Sequence, residues 1–172
     1  MNSILIDNEL RNGLHSIYLA QFHAIKRHPT AFDKNDATRM LTGLMGSRPW
    51  SWRVVGITPV ALDIFAQNGF LRVKGLVERG HLVERNKTAL HLYFERQDPM
   101  EINEFYEYFL ERDRTVLMAK YENKARMNEP LPDYIPIPAE LELFPSGSLV
   151  GWKHRKLEEE FLRSLHASRS VA

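Results

Sequence analysis

Apolar positions recur at three- and four-residue spacing near the start of the chain. Leu10, Leu14, Ile17, Tyr18, Phe22 and Ile25 form one stripe and predict a helix from about Asp7 to His28, stopped by Pro29. Met40, Leu41, Leu44 and Met45 predict a short helix after Asp36 that ends at Gly46. Thr58-Pro59 places an N-cap hydroxyl before a proline at the first helical position, and the helix it opens carries Leu62, Phe65 and Ala66 as far as Asn68-Gly69. Asp98-Pro99-Met100-Glu101 predicts another start, with Asp98 as cap and Glu101 reaching back to it. Ile102, Phe105, Tyr106, Phe109 and Leu110 then supply the apolar face.

Elsewhere the period shortens. Trp50 to Val55 alternates as a strand does, Leu71 to Val83 reads as strand with bends at Gly75 and Gly80, and Thr115 to Tyr121 reads as a buried strand. Thr88 to Glu95 fits both periods and is taken as helix. From Glu122 to Pro145, the prolines at 130, 132, 136, 138 and 145 predict an extended arm without helix. A last helix is expected from near Trp152, with Leu157, Phe161, Leu162 and Leu165 on its apolar face. The expectation is an α+β fold in a single domain: helices and a small sheet over 1–121, a proline-rich extended arm over 122–151, and a C-terminal helix over 152–168.

Composition narrows the class. At 172 residues, with 44% hydrophobic and 26% charged, the chain can bury a real core and is not of disordered type. A net charge of +1 and a pI near 8.0 argue against a histone-like coat while leaving room for a local basic groove. The absence of cysteine removes disulfides and thiolate metal sites. Acidic and polar residues appear early, and no window approaches ~18 uninterrupted apolar residues. No secretory signal and no membrane partner are therefore expected, and the cytoplasm is the expected compartment.

The segment most suited to chemistry is Glu78-Arg79-Gly80-His81-Leu82-Val83-Glu84-Arg85, a histidine in an apolar neighbourhood with an arginine on either side. Cutting a phosphodiester needs a base for water, a role that suits neutral imidazole, and cations for the phosphate, a role that suits Arg79 and Arg85. Glu78-Arg79-Gly80-His81 resembles the Asp-Arg-Gly-His motif of the non-specific nucleases in the His-Me finger (ββα-metal) superfamily, with Glu78 in place of the aspartate. The resemblance implies a strand-borne histidine base, here His81, and magnesium held from a following helix by an asparagine with a glutamate eight residues on. Asn103 and Glu111 stand at that spacing, with Glu107 where the family tends to have an aromatic. The HNH enzymes of the same superfamily order their residues as histidine, asparagine and histidine. His81, Asn123 and His154 match that order, so either set implies a magnesium site and a DNA or RNA substrate. His81 also reads as a strand histidine bonded to a carbonyl or to Glu78.

A different class stays open. Arg48, Trp50, Trp52 and Arg53 place aromatics among cations, a surface able to stack bases and grip phosphates, although both tryptophans also read as core anchors. Lys153, His154, Arg155 and Lys156 put cations at a helix start, against the dipole, where an anionic partner or nearby acids would compensate. The second expectation is thus a non-catalytic accessory or regulatory protein that binds nucleic acid or protein. A nuclease needs His81 in a cleft with converging oxygen ligands; a binder needs an open cationic or apolar patch.

Overall fold

The computed structural model describes residues 4, 6–46, 48, 50–125, 130–147 and 151–169. Along the chain run α1 (Asn8–Arg27), α2 (Lys34–Met45), β1 (Arg53–Ile57), α3 (Pro59–Gln67), β2 (Val77–His81) and α4 (Arg85–Leu90), the last continued by a π-helical turn (His91–Glu95). Then come α5 (Ile102–Arg112), β3 (Arg114–Ala119), α6 (Lys120–Ala125), β4 (Ile135–Pro136), a 3-10 turn (Ala139–Leu141) and α7 (Lys156–Arg169). The class is α+β, as the pattern predicts. Two compact units divide the chain: Met1–Ser51 with Val83–Arg114, and Trp52–Leu82 with Thr115–Ala172. No helix among the described residues is long and apolar enough to cross a membrane.

The first unit is helical. The Asp7 carboxylate accepts the Leu10 N–H at 2.9 Å and starts α1. A reciprocal box between Asp33 and Asp36 starts α2. The predicted stripe of α1 turns Leu14, Tyr18, Phe22 and Ile25 inward, and α5 adds Phe105, Tyr106 and Phe109. Tyr18 and Phe105 stack with centroids 4.5 Å apart. Each such side chain removed from water contributes about 1.5–3 kcal/mol. α5 departs from its predicted start: it begins at Ile102 with Glu101 as N-cap, not at Asp98. The reason is tertiary. The Met100 N–H donates to the Tyr18 hydroxyl at 3.1 Å, and the Met100 carbonyl accepts from His15 Nε2 at 2.8 Å. Those bonds hold Met100 against α1 and out of the helix.

The second unit holds a mixed sheet of order β2-β3-β1-β4. β2 and β3 run antiparallel with His81 opposite Thr115 and Arg79 opposite Leu117, and β1 and β4 pair antiparallel at Gly56 and Pro136. Val54, Ile57, Leu62, Phe65, Leu117, Trp152 and Leu162 form its apolar core. Thr58 caps α3 as predicted, accepting the Ala61 N–H at 3.1 Å, and α3 ends before Gly69 at φ 66°.

Four expectations in this unit are corrected. β1 begins at Arg53, because Trp52 takes a left-handed φ of 59° that breaks the extended run. Of Leu71 to Val83 only Val77–His81 is strand. Helix does enter the stretch after Glu122, as α6, because its first proline stands only at 130 and constrains just the residue before it. The Glu122 carboxylate, in the first turn of α6, accepts the Ala119 N–H at 2.8 Å and secures the start. The last helix begins at Lys156, not near Trp152, because Trp152 is bridged to Ser146 in extended conformation. Of the predicted arm, residues 126–129 and 148–150 lie outside the described residues.

Candidate functional site

Trp52 organises the surroundings of the histidine motif. Its left-handed backbone presents the carbonyl to two donors, Arg79 Nη1 and Thr115 Oγ1, each at 3.1 Å. Its ring lies 4.1 Å, centroid to centroid, from the ring of half-buried His81, and the Arg79 guanidinium sits 5.1 Å over it. A bulky residue in this region of φ is uncommon and costs roughly 1–3 kcal/mol. Arg79 is buried and donates further, from Nη1 to Ser146 Oγ at 3.1 Å and from Nη2 to the Gly151 carbonyl at 2.6 Å. It ties β2 to the segments on either side of residues 148–150. The neighbouring Glu78 carboxylate accepts Asn123 Nδ2 at 3.1 Å.

His154 repeats the device. Its Nε2 donates to the carbonyl of Phe70, another left-handed aromatic at φ 64°. Its Nδ1 accepts the Trp152 indole N–H at 3.4 Å, and its ring stacks on Phe65 with centroids 5.5 Å apart. Both ring nitrogens are engaged, so neither offers a lone pair to a metal.

The remaining motif residues belong to the helical unit. Arg85 forms a buried ion pair with Asp113; their side chains are 8% and 3% exposed. Asn103 Oδ1 accepts Arg11 Nη2 at 2.8 Å, and exposed Glu111 pairs with Arg112 at 3.0 Å. The Asn103 and Glu111 oxygens thus face guanidinium groups, which repel a second cation. As placed, neither ligand set fits magnesium, and among the described residues no three His, Cys, Asp or Glu side chains gather as a metal site.

The basic and aromatic residues also disperse. Arg48 and half-buried Trp50 belong to the helical unit, where Arg48 Nε donates to the Leu44 carbonyl at 3.4 Å and Trp50 packs against the core. Trp52 and exposed Arg53 belong to the sheet unit. Exposed Lys153 precedes α7, and Lys156 reaches Glu160 at 3.5 Å. The guanidinium of Arg155 clasps Glu158, a fully buried carboxylate that also accepts the N–H groups of Arg155, at 2.8 Å, and Phe144, at 3.1 Å. Burial pushes the Glu158 carboxyl up, but the Arg155 guanidinium and the two main-chain donors outweigh it and hold the group below its ordinary value. Because α7 starts later than predicted, only Lys156 of the basic group stands in its first turn.

Sequence reasoning missed a cleft of about 450 Å³ in the sheet unit. Ile64 and Asn68 of the α3 end, Leu76 before β2, and Lys120, Tyr121 and Lys124 of α6 line it. Leu76 is 51% and Tyr121 64% exposed. The signal was Lys-Tyr-x-x-Lys directly after a buried strand, hidden by reading the following stretch as helix-free. Compared with protein families, characterised proteins and solved structures, the chain matches none of them.

Proposed function

We propose that this protein is a non-catalytic binding protein whose sheet unit engages a macromolecular partner. The observation that carries this reading is the use already made of the residues that phosphodiester cleavage would recruit. Arg79 bridges three segments, Arg85 neutralises Asp113, Asn103 answers Arg11, and His154 has both nitrogens bonded. Groups held so firmly build the fold, and their replacement would register first as lost stability. The same unit exposes leucine and tyrosine beside lysines in a cleft, the kind of surface through which binding modules work.

One observation favours the magnesium nuclease of the His-Me finger type as a second reading: His81 closes strand β2 with its ring half-buried, as that resemblance implies. In that reading His81 is the base, Arg79 and Arg85 hold the phosphate of DNA or RNA, and the metal needs ligands other than the engaged ones. Incubating the chain with plasmid and with RNA in magnesium or manganese separates the two. We expect no cleavage by wild type or by His81→Ala. Divalent-dependent cleavage that His81→Ala abolishes would overturn the binding reading.

A further inference from the structure

The cleft between the end of α3 and α6 has a chemistry that selects among partners. Its floor is aliphatic, with Ile64 and Leu76, and Gly75 leaves it open, since nothing lies within 4 Å of where a Cβ would stand. Lys120 and Lys124 stand four residues apart on α6, both exposed, and neither forms an ion pair among the described residues. Like charges at that spacing repel one another. The acids on the two helices are engaged elsewhere. Glu122 binds the Thr58 hydroxyl at 2.7 Å and the Ala119 N–H, and Asp63 lies 3.7 Å from His166. The cleft therefore joins an uncovered apolar floor to a positive rim that its own helices do not neutralise.

From this charge complementarity we infer that the cleft binds an acidic segment of a partner protein that presents an aliphatic face, a helix-in-groove mode. The inference rests on the binding reading above and names the occupant. Leucine-type side chains would cover Leu76 and Ile64, and carboxylates would meet Lys120 and Lys124. A nucleic-acid strand fits less well. Stacking of successive bases needs repeated aromatic platforms, and Tyr121 is the single aromatic among the described residues of the lining.

The test uses the full chain and three fluorescent probes: an amphipathic peptide of leucine and glutamate with leucines at i, i+3, i+4 and i+7, the same peptide with lysine for glutamate, and an oligothymidylate. Binding is read by fluorescence anisotropy. We expect saturable binding of the glutamate peptide that weakens with salt. Leu76→Asp, and the pair Lys120→Glu with Lys124→Glu, should each weaken it at least about tenfold. The charge-reversed pair should now take the lysine peptide. All the altered side chains are exposed, so circular dichroism should show an intact fold. Failure of wild type to bind the glutamate peptide, or binding that the variants leave unchanged, overturns the inference. Capture of the oligothymidylate in place of the peptide overturns it too, yet leaves the binding reading standing. Only nuclease activity removes that reading.

Discussion

The two units solve the problem of stability with different materials. The helical unit relies on rings set at helical spacing: Tyr18, Phe22, Phe105, Tyr106 and Phe109 meet because three- and four-residue intervals put them on inward faces. The sheet unit has strands of five and six residues and a two-residue edge, with helices of nine and six residues before α7. Elements that short leave many main-chain groups in turns without ladder partners, and buried polar groups must be bonded. Arg79, Glu122, His154 and Glu158 supply those partners. A charged residue in an apolar neighbourhood looks alike on paper whether it performs catalysis or closes a fold. In the sheet unit Arg79, Glu122, His154 and Glu158 all bond main-chain groups.

Removing one charge from each unit tests the contrast most severely. Asp113→Ala removes the carboxylate that pairs with the buried Arg85 guanidinium of the helical unit and should cost about 3–5 kcal/mol in urea unfolding. Arg79→Met keeps bulk but removes the guanidinium bonds to the Gly151 carbonyl, to the Ser146 hydroxyl and to the Trp52 carbonyl, which keeps its bond from Thr115. It should cost about 3 kcal/mol, since bonds from charged donors contribute roughly 1.5–3 kcal/mol each and some acceptors will regain water. A loss under about 1 kcal/mol for Arg79→Met would show that its bonds do not hold the sheet unit together and would return Arg79 to the nuclease reading.

Glu158 gives the next effect and carries a pH signature. Its carboxyl titrates lower in the folded chain than the ordinary value of 4.5. The stabilisation is therefore full above that value and disappears as pH falls through the lower folded one. Glu158→Gln should cost about 2 kcal/mol at neutral pH, and its stability curve should be flatter than wild type between neutrality and strong acid. Equal acid slopes for the two proteins would mean that the Arg155–Glu158 contact is not formed in solution.

Glu158 also marks the boundary of what the sequence can tell. The helices of the first unit were legible because periodicity is a repeated signal, and Thr58-Pro59 was legible because cap and proline agree locally. Glu122 and Glu158 were not, since each bonds the N–H of the residue just before its helix, Ala119 or Arg155, which offers no capping side chain to announce it. Trp52 and Phe70 were invisible for another reason: a left-handed aromatic has no signature in residue type, and the donors to their carbonyls, Arg79, Thr115 and His154, arrive from distant parts of the chain. At the histidine motif, residue types and the strand placement of His81 could be read, but not the partners of Arg79. Ser146 and Gly151 lie 67 and 72 residues away along the chain.

The smallest effect comes from a neutral hydroxyl of the helical unit, which trims a core that rings already hold. Tyr93 is fully buried and its hydroxyl donates to Gln21 Oε1 at 2.6 Å. Tyr93→Phe keeps the ring and loses the bond, so it should cost only about 1 kcal/mol. Alkali offers a parallel reading. Burial raises Tyr93 above the ordinary tyrosine value, and it raises Tyr106 to about 12, against a smaller opposing pull from Arg11. A group raised in this way contributes stability fully present below 10.0, which is lost as pH climbs through the folded value. Ultraviolet titration of wild type should show these phenols ionising after the exposed ones, and Tyr93→Phe should remove one late step while leaving the acid limb of the stability curve unchanged. A cost for Tyr93→Phe as large as that for Glu158→Gln would erase the contrast between the units, because hydroxyl bonding would then matter to the helical core as much as buried charge matters to the sheet.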